Sequence, residues 1–219
     1  LDIIEPEDTR PNEQGNASRV LIDIADQKIY FTNVQSTLNP YVVARAIGRA
    51  ASNAIAPYIF SVPPQITLNG ALDIKSGRRE DDMHFVVNGG PFYWDPFHVH
   101  RIGGKLHWAG YNLFLNEVVA QLHSGQANGD AKFEITTNGF AYFQFRAEWS
   151  DIDLRSLMHD IARKTNNLEG ILRGNLQITS ANTRDLKSWN GRGMAQIKDG
   201  LLWDFPMLGV FSPILNAFI

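Results

Sequence analysis

Nine consecutive residues at 66–74, "ITLNGALDI", put Ile66, Leu68, Gly70, Leu72 and Ile74 on one side and Thr67, Asn69, Ala71 and Asp73 on the other. A helix turning every 3.6 residues would scatter those apolar positions around its surface, whereas an extended chain sends alternate side chains to opposite faces. The run "AYFQFRAEW" at 141–149 repeats the habit: Ala141, Phe143, Phe145, Ala147 and Trp149 oppose Tyr142, Gln144, Arg146 and Glu148. Shorter versions occur in "VLIDI", "GKLHW" and "NLQI". Sheets with one apolar and one polar face follow, and the antiparallel meander is the arrangement that accommodates that asymmetry.

Turn chemistry is expected between strands at "NGG" (88–90), "IGG" (102–104), "SGQANGD" (124–130) and "TNG" (137–139). Helices are the minority. Asn39 followed by Pro40 reads as an N-cap and first helical residue, with Val43, Ala46, Ile47, Ala50 and Ala54 at helical spacing and Pro57 as the stop. A second helix is expected after Asp153, with Leu154, Leu157, Met158 and Ile161 on one stripe. A third is expected after Asp204, kinked at Pro213. Each lies between strand blocks, as a lid would.

A loose repeat runs through the strands: "GALDI", "GDAKFEI", "GNLQI" and "GRGMAQI" each open a strand at a glycine, which suits a bend or a close backbone approach. The block from "LEGILRGNLQI" to "WNGRGMAQIKDGLLW" then reads as three successive strands. The glycines of the last run do not bind phosphate. Gly191 and Gly193 begin a G-x-G, but Gln196 stands where a dinucleotide fingerprint needs its third glycine, and a strand pattern follows rather than a helix. No Gly-Lys-Ser/Thr, G-x-S-x-G or H-E-x-x-H occurs.

Net charge is −3, so no global basic field attracts nucleic acid. The run "GRREDD" at 77–82 balances its own charges and reads as a solvated loop. There is no cysteine, which excludes disulfides, thiolate metal sites and thiol catalysis. In "FHVHRIGGKLHW", His98 and His100 would share a strand face, with His107 or His123 as a third metal ligand; exposed polar positions are the favoured reading, and no metal or cofactor is expected. Asp151, Asp153 and Asp160 flank the second helix, and Asp153 reads as its cap rather than as an acid catalyst. Tyr93 with Trp94, Trp108, Trp149, Trp189 and Trp203 could form a sugar platform, although core or groove positions fit them better.

About 11 strands at ~4.8 Å spacing would make a sheet roughly 50 Å across, with only three modest helices to cover it. A closed sandwich would bury the apolar face against itself, and an open curved sheet would leave a trough suited to an acyl chain. Alternation alone does not separate the two. The chain begins at Leu1, and its last 15 residues, "FPMLGVFSPILNAFI", are almost wholly apolar yet short for a membrane span. A fragment of a longer chain is the expectation.

The run "LEGILRGNLQI", then "DLKSWNGRGMAQIKDGLLWDFPMLGVFSPIL", resembles the C-terminal region of AsmA-like proteins, the group that includes TamB. Gly170, Gly174, Leu176, Trp189, Gly191, Gly193, Ile197, Asp199, Gly200, Leu202 and Pro206 carry the likeness, preceded by "DIDLRSLM". It covers residues 151–219 well, 64–150 in style, and adds little over the first 60. The resemblance implies a taco-like sheet with a hydrophobic groove. It implies part of a long, non-enzymatic protein anchored in the bacterial inner membrane and linked to phospholipid movement towards the outer membrane.

The expected fold is therefore mainly β: an antiparallel meander forming a curved, taco-like open sheet, with a few short amphipathic helices as lids. N-terminal strands and a helix occupy residues 1–62, a β-meander 63–150 and the AsmA-like repeat 151–219, as one continuous sheet. The expected role is a periplasmic segment that binds phospholipid acyl chains in a groove lined by Leu72, Ile74, Leu106, Trp108, Phe143, Phe145, Leu176 and Ile178. The alternatives are an envelope protein-interaction or assembly module without lipid transport, and a carbohydrate-active β-sandwich.

Overall fold

The computed structural model describes residues 15–47, 55–74, 80–94, 96–138, 140–162 and 168–200. Ten strands form one open sheet: β1 (Gly15–Asp23), β2 (Lys28–Ser36), β4 (Gln65–Asp73), β5 (Asp82–Gly89), β8 (Arg101–Ala109), β9 (Asn112–Leu122), β10 (Gly125–Ile135), β11 (Ala141–Asp153), β12 (Ile171–Asn182) and β13 (Asp185–Lys198), in that spatial order. Every neighbouring pair is antiparallel, and β1 and β13 lie at opposite ends without pairing with each other. Ten strands at ~4.8 Å span about 43 Å. Three short strands, β3 (Tyr58–Phe60), β6 (Phe92–Trp94) and β7 (Phe97–Val99), make a separate sheet. The described helices are α1 (Pro40–Ile47) and α2 (Leu154–Ala162).

Both helices start as their caps dictate. The Asn39 side chain accepts the Tyr41 amide at 3.0 Å, and Asp153 Oδ1 accepts the Ser156 amide at 2.8 Å. The Ser156 hydrogen bonds hold the Asp153 carboxyl below its usual range, so it is ionised at the helix N-terminus, where the dipole favours an anion. The expected third helix and the third strand of the last block fall outside the described residues.

The connections are segregated. Those joining β1–β2, β4–β5, β8–β9, β10–β11 and β12–β13 reverse the chain at one end of the sheet. The tight β9–β10 turn and the segments carrying α1, β3, β6, β7 and α2 all leave from the other end. There, α2 packs Leu154 and Met158 against Leu168, with Leu157, Ile161 and Ile197 around them. Backbone hydrogen bonds from Asp153 to the His123 carbonyl and from Leu154 to the Gly170 carbonyl fasten this end. The sheet therefore has one capped end and one end of short reversals.

Two expected turns are strand instead. "IGG" lies within β8, and Asn128 and Gly129 lie within β10. In each case the ladder continues past the glycine because both neighbouring strands pair there. The turn near the second is His123–Ser124, both at positive φ. "TNG" does form a turn, at Thr137 and Asn138.

Extra residues bulge out of β2, β9, β11 and β12. Asn33, Glu117 and Asp151 in three of these bulges have φ of 49°, 52° and 57°. Two are built alike: Asn69 Oδ1 accepts the Asn33 amide at 2.8 Å, and Asp130 Oδ1 accepts the Glu117 amide at 2.9 Å, each from the strand facing the bulge. Bulges of this kind bend a strand and raise its twist, which is how an antiparallel sheet acquires curvature.

Candidate functional site

The bulges preserve the sidedness of the sheet. One cross-strand row reads Val20, Phe31, Gly70, Met83, Trp108, Leu113, Phe133, Phe143 and Ala181 from β1 to β12. The next reads Ala17, Val34, Leu68, Phe85, Leu106, Leu115, Ala131, Phe145, Ile178 and Gly191. Neither row contains a charged side chain, and the one polar atom, Trp108 Nε1, donates to the Gly110 carbonyl at 2.8 Å. Toward the capped end, Gly129, Ala147, Leu176 and Gly193 form a third row, and Ile102, Ala120, Ala127, Trp149, Gly174 and Ala195 a fourth.

Among the described residues this face is packed within itself, and most of its side chains stay partly exposed. Phe31, Leu68, Phe85, Leu106, Trp108, Leu113, Leu115 and Phe133 are all half-buried. Among the described residues two apolar clusters have buried centres: Leu154, Met158 and Leu168 at α2, and Phe143, Ile178 and Ala181, against which the partly buried Phe133, Phe145, Leu176 and Trp189 pack. The opposite face is polar and wet. Lys105 pairs with Glu117 at 2.6 Å and Arg146 with Asp130 at 3.2 Å, exposed pairs worth about 0–1 kcal/mol each.

Of the eight residues expected along a groove, Leu72, Leu106, Trp108, Phe145 and Leu176 are half-buried on the apolar face. Phe143 and Ile178 share that face but are 5% and 7% exposed, so they support the wall more than they line it. Ile74 lies past the end of β4 and is exposed, its amide donating to the Gln27 carbonyl. Phe85, Leu113 and Leu115 complete the same rows and were missed. Period-two patterning was the signal for them, in the short runs "MHFVV" and "NLFL".

Among the described residues the tryptophans do not assemble into one platform, and Trp203 lies outside them. Trp94 stacks on Tyr58 in the small sheet at 5.9 Å between centroids, whereas Trp108 and Trp149 belong to the apolar face of the large one. Trp189 meets Phe143 edge-on at 5.1 Å.

Four of the six histidines sort into two groups that sequence spacing does not reveal. His98, on β7, directs Nδ1 to Asp160 Oδ1 at 3.0 Å, and its amide donates to Asp160 Oδ2 at 2.9 Å. His123 Nε2 lies 3.3 Å from the same Oδ2, off the hydrogen-bond line. His123 is buried, and burial pushes its imidazole below the usual histidine range against the opposing pull of Asp160. The second group lies on the polar face. His107 Nε2 is 2.7 Å and His84 Nε2 3.2 Å from Asp82 Oδ1, and the two imidazoles stack at 4.1 Å. The His107 hydrogen bond holds the Asp82 carboxyl below its usual range. His100 is exposed just after β7.

Among the described residues no helix is long and apolar enough to cross a membrane. No protein-family model, curated protein or solved structure matches the chain.

Proposed function

We propose that the chain is a non-enzymatic segment of a bacterial envelope lipid-transfer protein, and that its apolar sheet face holds phospholipid acyl chains. The observation that carries this reading is the pair of uninterrupted apolar rows running across the sheet from β1, half-buried along most of their length. Such a surface is costly in water, and an acyl chain laid along it gains about 0.8 kcal/mol per buried CH₂. Rows of aliphatic and aromatic side chains without fixed polar partners suit a non-specific, sliding contact rather than recognition of one headgroup. The likeness of residues 151–219 to AsmA-like proteins supports the same reading. It adds a periplasmic location within an inner-membrane-anchored protein and a part in outer-membrane biogenesis.

Site-specific photocrosslinking tests the proposal in the full-length protein in cells. A benzophenone residue at Leu106 or Leu115 is expected to capture phospholipid, whereas one at Lys105 or Gln144 on the polar face is not. Equal capture from both faces, or none from either, would sink the reading.

A second reading, a protein-interaction module, is favoured by β1, which among the described residues pairs on one side only, with β2, and exposes Leu21 and Ile22. In that case β1 positions would crosslink to one protein partner at stoichiometric yield.

A further inference from the structure

The polar face carries a group of side chains that the lipid reading does not use. Asp82 and His84 stand two residues apart on β5 and so project from the same face, and His107 is the direct cross-strand partner of His84 on β8. The three offer one ligand atom each, all within 4.8 Å of one another. We propose that Asp82, His84 and His107 bind a borderline divalent transition metal ion of the zinc class on the outside of the sheet.

Three features carry the inference. First, the spacing suits the ion: tetrahedral coordination with bonds of about 2.0–2.1 Å sets ligand atoms roughly 3.3 Å apart, and Asp82 Oδ1 lies 2.7 and 3.2 Å from the two Nε2 atoms. An ion bound by the three would take the place of the present contact between His107 Nε2 and Asp82 Oδ1. Second, the site is braced. The His84 and His107 rings lie 10° from parallel, and the Phe114 ring on β9 stacks on His107 at 5.5 Å. This row of rings restricts His107, as supporting groups do for metal-ligating histidines. Third, the ligand set selects the metal. Two imidazoles and one carboxylate favour zinc, copper or nickel over magnesium and calcium, which prefer all-oxygen shells.

His84 and Asp82 are 57% and 63% exposed at their side chains, so a fourth coordination position faces outward, open to water or to a donor from another molecule. The ion would also tie β5 to β8, and binding to the folded state alone stabilises it by mass action.

The test is calorimetric titration of the untagged, metal-stripped protein with zinc chloride, alongside thermal unfolding. Saturable 1:1 binding is expected, with Tm rising on the order of 5 °C at hundredfold excess over Kd. His84→Ala and His107→Ala should each weaken binding at least tenfold, while His100→Ala, at an exposed histidine outside the group, should leave it unchanged. His84 and His100 are exposed and His107 is half-buried on the polar face, so circular dichroism is expected to show each variant folded. Binding that survives both His84→Ala and His107→Ala, or no saturable binding in the parent protein, would overturn the proposal.

Discussion

Trp149 lays its indole against Gly174, its cross-strand partner on β12, so closely that a Cβ at that glycine would come within 2.8 Å of Trp149 Cζ2. The Met194 carbonyl on β13 crowds the same point from the other side. Gly174→Ala should therefore force strand and ring apart, costing about 1–3 kcal/mol as overpacking does. Urea unfolding measures the loss, and a shift in tryptophan emission reports the displaced ring. A change below about 0.5 kcal/mol would show that the strands separate freely.

The same glycines explain what sequence could and could not tell. Alternation in "ITLNGALDI" and "AYFQFRAEW" placed β4 and β11 within a few residues, because one buried and one wet face leave no other register for those side chains. The caps Asn39 and Asp153 were equally legible, since a cap is a local chemical need. "IGG" and "SGQANGD" misled because turn propensity yields to pairing on both sides: Gly104 backs onto Val118, and Gly129 onto the Arg146 carbonyl. The histidine groups were illegible for a related reason. His84 meets His107 across two strands, and Asp160 meets His98 over 62 positions, and neither relation leaves a local spacing to read.

The buried His123 makes stability depend on pH. Its folded-state pKa is depressed below 6.5, chiefly by burial, with nearby His98 and His100 adding to the effect and Asp160 and Asp153 opposing it. The unfolded chain therefore takes up a proton near pH 6.5 that the folded chain still refuses, so stability falls as pH drops below that value. The loss levels off once the folded-state pKa is passed. His123→Gln should flatten the pH dependence of the urea midpoint between about pH 7 and 5. An unchanged slope would place the titrating group elsewhere.

An uncovered sheet face and a closed core differ in what truncation costs. Phe143, 5% exposed among Ile178, Ala181 and Trp189, should cost about 3–5 kcal/mol on Phe143→Ala. Leu115 lies on the same face but is only half-buried, so Leu115→Ala in lipid-free protein should cost about 1 kcal/mol, the value of incomplete transfer without a full cavity. Lipid should widen the Leu115 effect by covering the face. Equal costs for the two variants in lipid-free protein would mean that the apolar rows are already sealed.

The bulge in β9 separates the value of a backbone conformation from that of an ion pair. Glu117 holds φ at 52°, its amide is accepted by Asp130 Oδ1 at 2.9 Å, and its carboxylate pairs with Lys105 on the surface. Glu117→Gly removes an exposed pair worth about 0–1 kcal/mol and relieves a conformation that side chains resist, so it should be neutral or slightly stabilising. Asp130→Ala instead leaves the Glu117 amide without its acceptor and also frees Arg146, and should cost about 1–2 kcal/mol. Because the bulge keeps Leu115 and Val118 on the same face, losing it would turn one of them outward. Hydrogen exchange at the Glu117 and Val118 amides should therefore rise in Asp130→Ala and stay slow in Glu117→Gly. Fast exchange in both variants would assign the bulge to the Glu117 side chain rather than to the Asp130 hydrogen bond.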